Sequence, residues 1–373
     1  MVSEGVQRQF AERGVEVIPL SVGCDRLIEE LRFGRKGEVE VVVGGSRQPL
    51  GEGDSHDAIT LPASDQPSGG QKLTRAALPL LSIKSDLTSL ADGGVEIIRA
   101  FDPDVDLYLQ DHRIDGAPVV PFAVALELIA EAAAVTVPQL PVAVVRDVRL
   151  LNGITVASPQ LIRATARPRP DSTASRAIVD VTLSSTTSSR IHYRGTVELG
   201  EATRSLPVAG TPVGLEPFPM TVANAYRSYL FHGPLFHGVV SIDGISADGA
   251  VASIEPSTPS ACLRGVSGAS WIIDPVVVDS ALQMQLLWTR LRWDMTPLPN
   301  ELGTMSLFVP FAATADNSQS ALRHELHIRP ESRMPMCHAD HAFYLNDGTL
   351  AGTITNMVGA GSRALNRVAV ANE

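Results

Sequence analysis

The chain has 373 residues, 44 % hydrophobic and 19 % charged, with 30 Gly and 26 Pro, the composition of a globular protein long enough for two or three folded units. Lys and Arg number 30 against 41 Asp and Glu, a formal net charge of -11. That balance excludes a general nucleic-acid or anionic-membrane binder, because phosphate would be repelled, and an acidic partner would need a local basic patch. Cys24, Cys262 and Cys337 are far apart and in no metal or redox spacing, which points to packing roles in a reducing, cytoplasmic compartment. The longest mostly apolar run, Pro118 to Leu140, is broken by Glu127, Glu131 and Pro138, and the start lacks a basic-then-apolar leader. Neither membrane spanning nor export is expected.

In chain order, the first stretch reads as a strand (Val15 to Pro19), a helix (Cys24 to Phe33) and a strand (Glu38 to Val43), closed by Gly44 and Gly45. Residues 1–45 are too few to build their own core. The phrase RGVEVIPLSVGCDRLIEELRFGRKGEVEVVVGG resembles the last strand, helix and strand of a polyketide synthase ketoreductase. The nucleotide-binding and catalytic parts of such a reductase are missing, so this resemblance implies an inactive remnant, dispensable for catalysis. Residues 46–76 shift to Gly, Ser, Asp, Pro and Gln, the signature of a flexible linker.

From about Ala77 to Leu365 short alternating segments dominate, among them Ala177 to Leu183, Ile191 to Leu199, Ala321 to Ile328 and Ala342 to Leu345, which predicts antiparallel sheet. Two apolar helices interrupt it. After Pro121, the residues Phe122, Ala125, Leu126, Ile129 and Ala133 fall on one helical face, and the positions between them are also largely apolar, so the helix is expected to be wrapped by sheet. In the second helix Asp274 suits the N-cap and Pro275 the first turn, and the run continues to about Arg292. The order strand, loop, buried helix, several strands occurs twice, over 77–210 and 211–365, with a tail at 366–373.

Ahead of the first helix, His112, Gly116 and Pro121 form an H-x3-G-x4-P pattern, and Asp279 and Gln283 form D-x3-Q within the second. With the order of these motifs and the helix that follows each, the chain from about Ala77 resembles a polyketide synthase dehydratase domain. The resemblance implies an α+β double hotdog, two curled antiparallel sheets each wrapping a long helix, with a catalytic His from the first half and a catalytic Asp from the second. A third family segment, Tyr-Gly-Pro-x-Phe-Gln-Gly, reads HGPLFHG here, so His232 and His237 replace the family's Tyr and Gln.

The chemistry explains these residue types. Dehydrating a 3-hydroxyacyl thioester needs a base for the proton next to the carbonyl and an acid for the departing hydroxyl. A neutral imidazole is available near pH 7, which suits His112, whereas an Asp is ionised unless an apolar site raises it. Val276, Val277, Val278, Ala281 and Leu282 offer Asp279 such a site. Gln283 lies one turn on, where its amide can hold the carboxyl or the substrate hydroxyl. Free backbone N–H groups at the start of the first helix, after Gly116 and Pro121, suit a developing enolate. His232, with Tyr229 and Tyr226 just upstream, is a further substrate-facing candidate, while both His232 and His237 also fit a simple Gly-Pro turn.

The His324/His327 and His338/His341 pairs are three apart in strands and point to opposite faces, so no metal site is expected from them. Arg146, Arg149, Arg163, Arg167 and Arg169 read as a solvated strand surface or as a platform for an acidic carrier protein. The resemblance implies an acyl carrier protein as partner, its phosphopantetheine arm delivering the thioester, together with other domains of the same synthase, and no bound cofactor. A reductase tail preceding a dehydratase, together with the HGPLFHG phrase, resembles iterative synthases of the enediyne or polyunsaturated fatty acid kind. Double-bond isomerisation, product-template-like cyclisation or a non-catalytic scaffold on the same fold stay open, as does the quaternary state, a homodimer included.

Overall fold

The computed structural model describes residues 77–202, 210–311 and 321–369. The reductase-like segment, the linker and Cys24 lie outside them. By its contacts the chain separates into Met1–Ser68 and Gly69–Glu373, and the second unit carries everything below.

Its elements are the short helix α1 (Pro79–Ser82), strands β1 (Ser85–Ser89) and β2 (Val95–Phe101), a four-residue helix α2 (Tyr108–Asp111), the hairpin β3 (Arg113–Ile114) and β4 (Ala117–Pro118), helix α3 (Phe122–Thr136), and strands β5 (Val142–Leu150), β6 (Gln160–Pro168), β7 (Arg176–Ser185) and β8 (Ile191–Gly200). There follow α4 (Val222–Ser228), a 3-10 turn at Pro234–Phe236, β9 (Val239–Ile245), β10 (Gly249–Ile254), α5 (Pro259–Cys262), helix α6 (Pro275–Trp293), β11 (Thr296–Leu307), β12 (Leu322–Ile328), β13 (Met336–Tyr344), β14 (Leu350–Ser362) and a 3-10 helix at Arg363–Ala369. That last turn carries the second half beyond the expected boundary at 365. Asn366 holds it, its amide donating to the Asp294 carbonyl at 2.9 Å.

Twelve strands form one antiparallel sheet in the order β1-β2-β6-β7-β8-β5-β11-β14-β13-β12-β10-β9. Read outward from the centre, the order repeats: β5, β8, β7, β6, β2, β1 on one side and β11, β14, β13, β12, β10, β9 on the other. In each half two strands precede the long helix, the strand just after that helix lies innermost, and these two strands pair, Met305 opposite Val145 and Leu302 opposite Val148. This is the double hotdog.

Strand β2 alternates buried and half-buried residues along its length, the pattern of a strand with one face on the core. Helix α3 is buried on nearly every side, so it needs no polar face. In α6 the Asp274 carboxylate accepts from the N–H of Val276 and Val277, Pro275 takes the first turn, and Asp294 closes the helix in the left-handed region, one residue beyond the expected end. Cys262 and Cys337 are buried free thiols. The five arginines of the expected platform each meet a carboxylate: Arg146 with Glu198, Arg149 with Glu301, Arg163 with Glu96, Arg167 with Asp92 and Arg169 with Asp180.

Candidate active site

His112 follows α2 directly and is almost fully buried. Its Nδ1 lies 2.8 Å from the Val119 carbonyl. A carbonyl only accepts, so Nδ1 carries the hydrogen and the neutral ring presents a bare Nε2. Phe231 and Phe236 stand edge-on to the ring at 5.3 and 5.6 Å, and burial lowers its pKa from 6.5 to about 4. At neutral pH the His112 ring is therefore unprotonated.

Asp279 projects from the second turn of α6, buried. Its Oδ2 accepts the Gln283 amide at 2.8 Å, and His232 Nε2 stands 3.2 Å from the same oxygen. Burial raises the carboxyl to about 7, against the opposing pull of the Gln283 hydrogen bond. Gln283 is itself fixed: its amide also donates to the Phe236 carbonyl at 2.9 Å, and its Oε1 accepts from the Tyr226 hydroxyl at 2.9 Å. Tyr226 in turn accepts from the Val239 N–H at 3.0 Å. That chain settles which end of the Gln283 amide faces Asp279.

The HGPLFHG segment, 232–238, brings the halves together. His232 forms a backbone bridge with His112, and Asp111 accepts from the N–H of Gly233 at its carbonyl and of Leu235 at its carboxylate. The glycines explain themselves sterically. A Cβ at Gly233 would sit 2.4 Å from the Asp111 carboxylate, and one at Gly238 would sit 2.4 Å from Ser280 Oγ and 2.8 Å from a Val276 methyl on α6. His232 stacks on Phe231 with 4.1 Å between ring centroids, its Nδ1 has no partner, and burial holds its pKa well below 6.5. His237 lies outside this cavity, its Nε2 3.0 Å from the His232 carbonyl and its ring stacked on Tyr226.

His112, His232, Asp279 and Gln283 share the lining of one cavity of about 230 Å³, whose remaining walls are chiefly apolar. Both halves contribute to it. Expectations for three residues change here. Gly116 is exposed at the tip of the β3–β4 hairpin with φ +75, so it turns the chain rather than touching a substrate. Tyr229 packs under the Arg290 guanidinium, 5.1 Å from its ring centre, away from the cavity. Pro121 caps α3 between Val120 and Phe122, which do line the cavity. The sequence reading missed Tyr193 and the Pro297 to Pro299 segment, which line it from β8 and β11. No local pattern marks them, because their roles arise only from sheet pairing.

The donor atoms of His112, His232 and Asp279 lie within 4.8 Å of one another. With a modest inward shift this two-His, one-carboxylate set would suit a divalent transition ion. Two other histidines meet across strands: His324 Nε2 stands 3.1 Å from His341 Nδ1, a contact that spacing along one strand does not reveal. Among the described residues no helix is long and apolar enough to cross a membrane.

A family model described as polyketide synthase dehydratase domain matches residues 79–182, and one described as polyketide synthase dehydratase N-terminal domain matches 208–358. One large chain of the polyunsaturated fatty acid synthase of Thraustochytrium is 26 % identical over 309 residues, 81 % of this chain, which spans only 10 % of that relative's length. Among solved structures, the dehydratase domain from the CurF module of curacin polyketide synthase superposes with a TM-score of 0.59 at 16 % identity, covering 77 % of this chain and 100 % of that one. The dehydratase domain of PpsC from Mycobacterium tuberculosis gives 0.56 at 18 %, covering 74 % and 97 %.

Proposed function

We propose that this chain, which belongs to the polyketide synthase dehydratase family, removes water from a 3-hydroxyacyl thioester, carried on the phosphopantetheine arm of an acyl carrier protein, to give the 2-enoyl thioester. The observation that carries this reading is the pairing of an unprotonated His112 with a carboxyl at Asp279 raised to about 7, both facing one largely apolar cavity. Burial acts on the two groups in opposite senses, and each is left in the form the reaction needs.

His112 Nε2 takes the proton from the carbon next to the thioester carbonyl. The electron pair of that C–H bond becomes the new C=C bond, and the C–O bond to the 3-hydroxyl breaks. The Asp279 carboxyl supplies its proton to the leaving oxygen, so water departs and leaves an imidazolium and a carboxylate, which exchange a proton to restore the starting state. Donor atoms within 4.8 Å suit groups acting on adjacent carbons of one chain. The α3 N-terminus has no side-chain cap, so its first-turn N–H groups suit the enolate oxygen. Among the described residues His232 Nδ1, a ring nitrogen without a hydrogen-bond partner at the cavity wall, suits a hydrogen bond with the 3-hydroxyl.

The test is incubation of the protein with a 3-hydroxyacyl pantetheine thioester and detection of the product by mass. Loss of one water, abolished in His112→Phe, supports the reading. Turnover of a 2-enoyl thioester to its positional isomer, with no action on the hydroxyacyl substrate, would replace it with isomerisation.

A further inference from the structure

Helix α3 carries Glu127 and Glu131 one turn apart, and neither has any exposure to solvent. In the sequence they are merely breaks in an apolar run. A carboxyl buried without partners costs several kcal/mol, so their partners show what the positions are for. Glu131 accepts from the N–H of Leu80 and Leu81, both at 2.9 Å, and so ties α3 to α1 within the first half. Glu127 reaches the other way, accepting from the N–H of Ile272 at 3.0 Å and of Ile273 at 2.6 Å. These two residues form the bend that enters α6, immediately before its N-cap Asp274.

We propose that Glu127 is a positioning residue: the helix of the first hotdog holds the entry of the second hotdog's helix and thereby sets where Asp279 stands relative to His112. This rests on the function proposed above. The mechanical link is short. Asp274 is clamped by Ser257 and by the first-turn N–H groups of α6, so the bend and the helix start move as one body, and Asp279 lies only five residues further on. Displacing a reacting group by about 1 Å can cost on the order of 100-fold in rate. Burial and the neighbouring Glu131 carboxyl push Glu127 well above the ordinary carboxyl range, and Glu127→Gln keeps the shape of the side chain while replacing one of the two accepting oxygens with a donor.

Glu131→Gln is the matched control: Glu131 is on the same helix, equally buried and hydrogen-bonded to Glu127, a contact the Gln amide can keep, but its backbone donors lie in α1 rather than at the entry to α6. In Glu127→Gln, kcat should fall about 10- to 100-fold with KM within about threefold, whereas Glu131→Gln should lose comparable thermal stability and keep kcat within about threefold. A second readout needs no turnover. Selective carbon-13 labelling of aspartate carboxyls, with Asp279→Asn for assignment, should show the Asp279 titration midpoint moved in Glu127→Gln and unmoved in Glu131→Gln. If Glu127→Gln does not fold, Glu127→Asp, which keeps both oxygens but retracts them by one methylene, takes its place with the same expectation. Equal effects of the two positions on kcat and on the Asp279 midpoint, or no effect of Glu127→Gln on either, would overturn the proposal. Absence of turnover in the wild type would instead sink the dehydratase reading, with the titration still deciding whether Glu127 positions Asp279.

Discussion

Replacing Asp279 by Asn should abolish most of the activity and, above neutral pH, make the protein more stable. Asn keeps the shape, and its carbonyl oxygen can accept the Gln283 amide and face His232 as Oδ2 does. What changes is the charge. Burial raises the wild-type carboxyl from 3.8 to about 7, a preference for the neutral form worth roughly 4 kcal/mol at about 1.4 per tenfold. Because the folded state binds this proton more tightly than the unfolded chain, the contribution is complete below pH 3.8 and is lost as pH rises through 7. Relaxation and water entry into the cavity reduce the effective loss to about 2 to 4 kcal/mol. At about 2 to 4 °C per kcal/mol for a chain of this size, Asp279→Asn should melt about 4 to 16 °C above the wild type at pH 8.5, and the gap should close progressively as pH falls towards 3.8. Turnover should fall about 10²- to 10⁴-fold, as loss of a positioned acid typically does. The assay is a series of thermal melts across pH for both proteins, with turnover measured alongside. Melting curves that stay parallel across the range would show that the Asp279 carboxyl titrates in the ordinary range, and the acid would have to be sought elsewhere.

The wild-type kcat/KM should form a plateau between about pH 4 and 7, falling on the acid side as His112 takes up a proton and on the alkaline side as Asp279 gives one up. A profile that rises through pH 7 would show that the reaction does not need the Asp279 proton, and the acid would have to lie elsewhere. In Gly238→Ala the new methyl would meet Ser280 Oγ at 2.4 Å and a Val276 methyl at 2.8 Å, pushing the loop off α6 and with it the Phe236 carbonyl that steadies Gln283. A loss of about 1 to 3 kcal/mol in stability and of roughly tenfold in kcat is expected from denaturation and turnover measurements.

Both long helices and the contact between Gln283 and Asp279 were legible in the sequence because their determinants are local. Asp274 and Pro275 are cap chemistry within one turn, Gln283 reaches Asp279 at i+4 through helix geometry alone, and the apolar periodicity of Phe122 to Ala133 needs only a helix to become a buried face. The motif pair His112 and Asp279 carried the fold with it through family resemblance. Gly116 was misread as part of the site because spacing places it between His112 and α3, but a hairpin turn swings it outward. Tyr229 was misread because α4 turns its ring towards Arg290, while Tyr226, three residues earlier, points inward to Gln283. His324 and His341 meet only because β12 and β13 pair in the register that places Leu326 opposite His341.

By itself, the sequence determined what depends on neighbours within a few residues: helix extents, the alternation of strands, and residue types suited to proton transfer. The tertiary structure alone decided how completely His112 and Asp279 are desolvated and which distant residues keep them company, because desolvation and contacts between residues far apart in the chain come from packing. Glu127 shows the division. On the chain it is a charge interrupting an apolar helix, and only the arrival of Ile272 and Ile273 from the other half supplies the donors that make its burial tolerable.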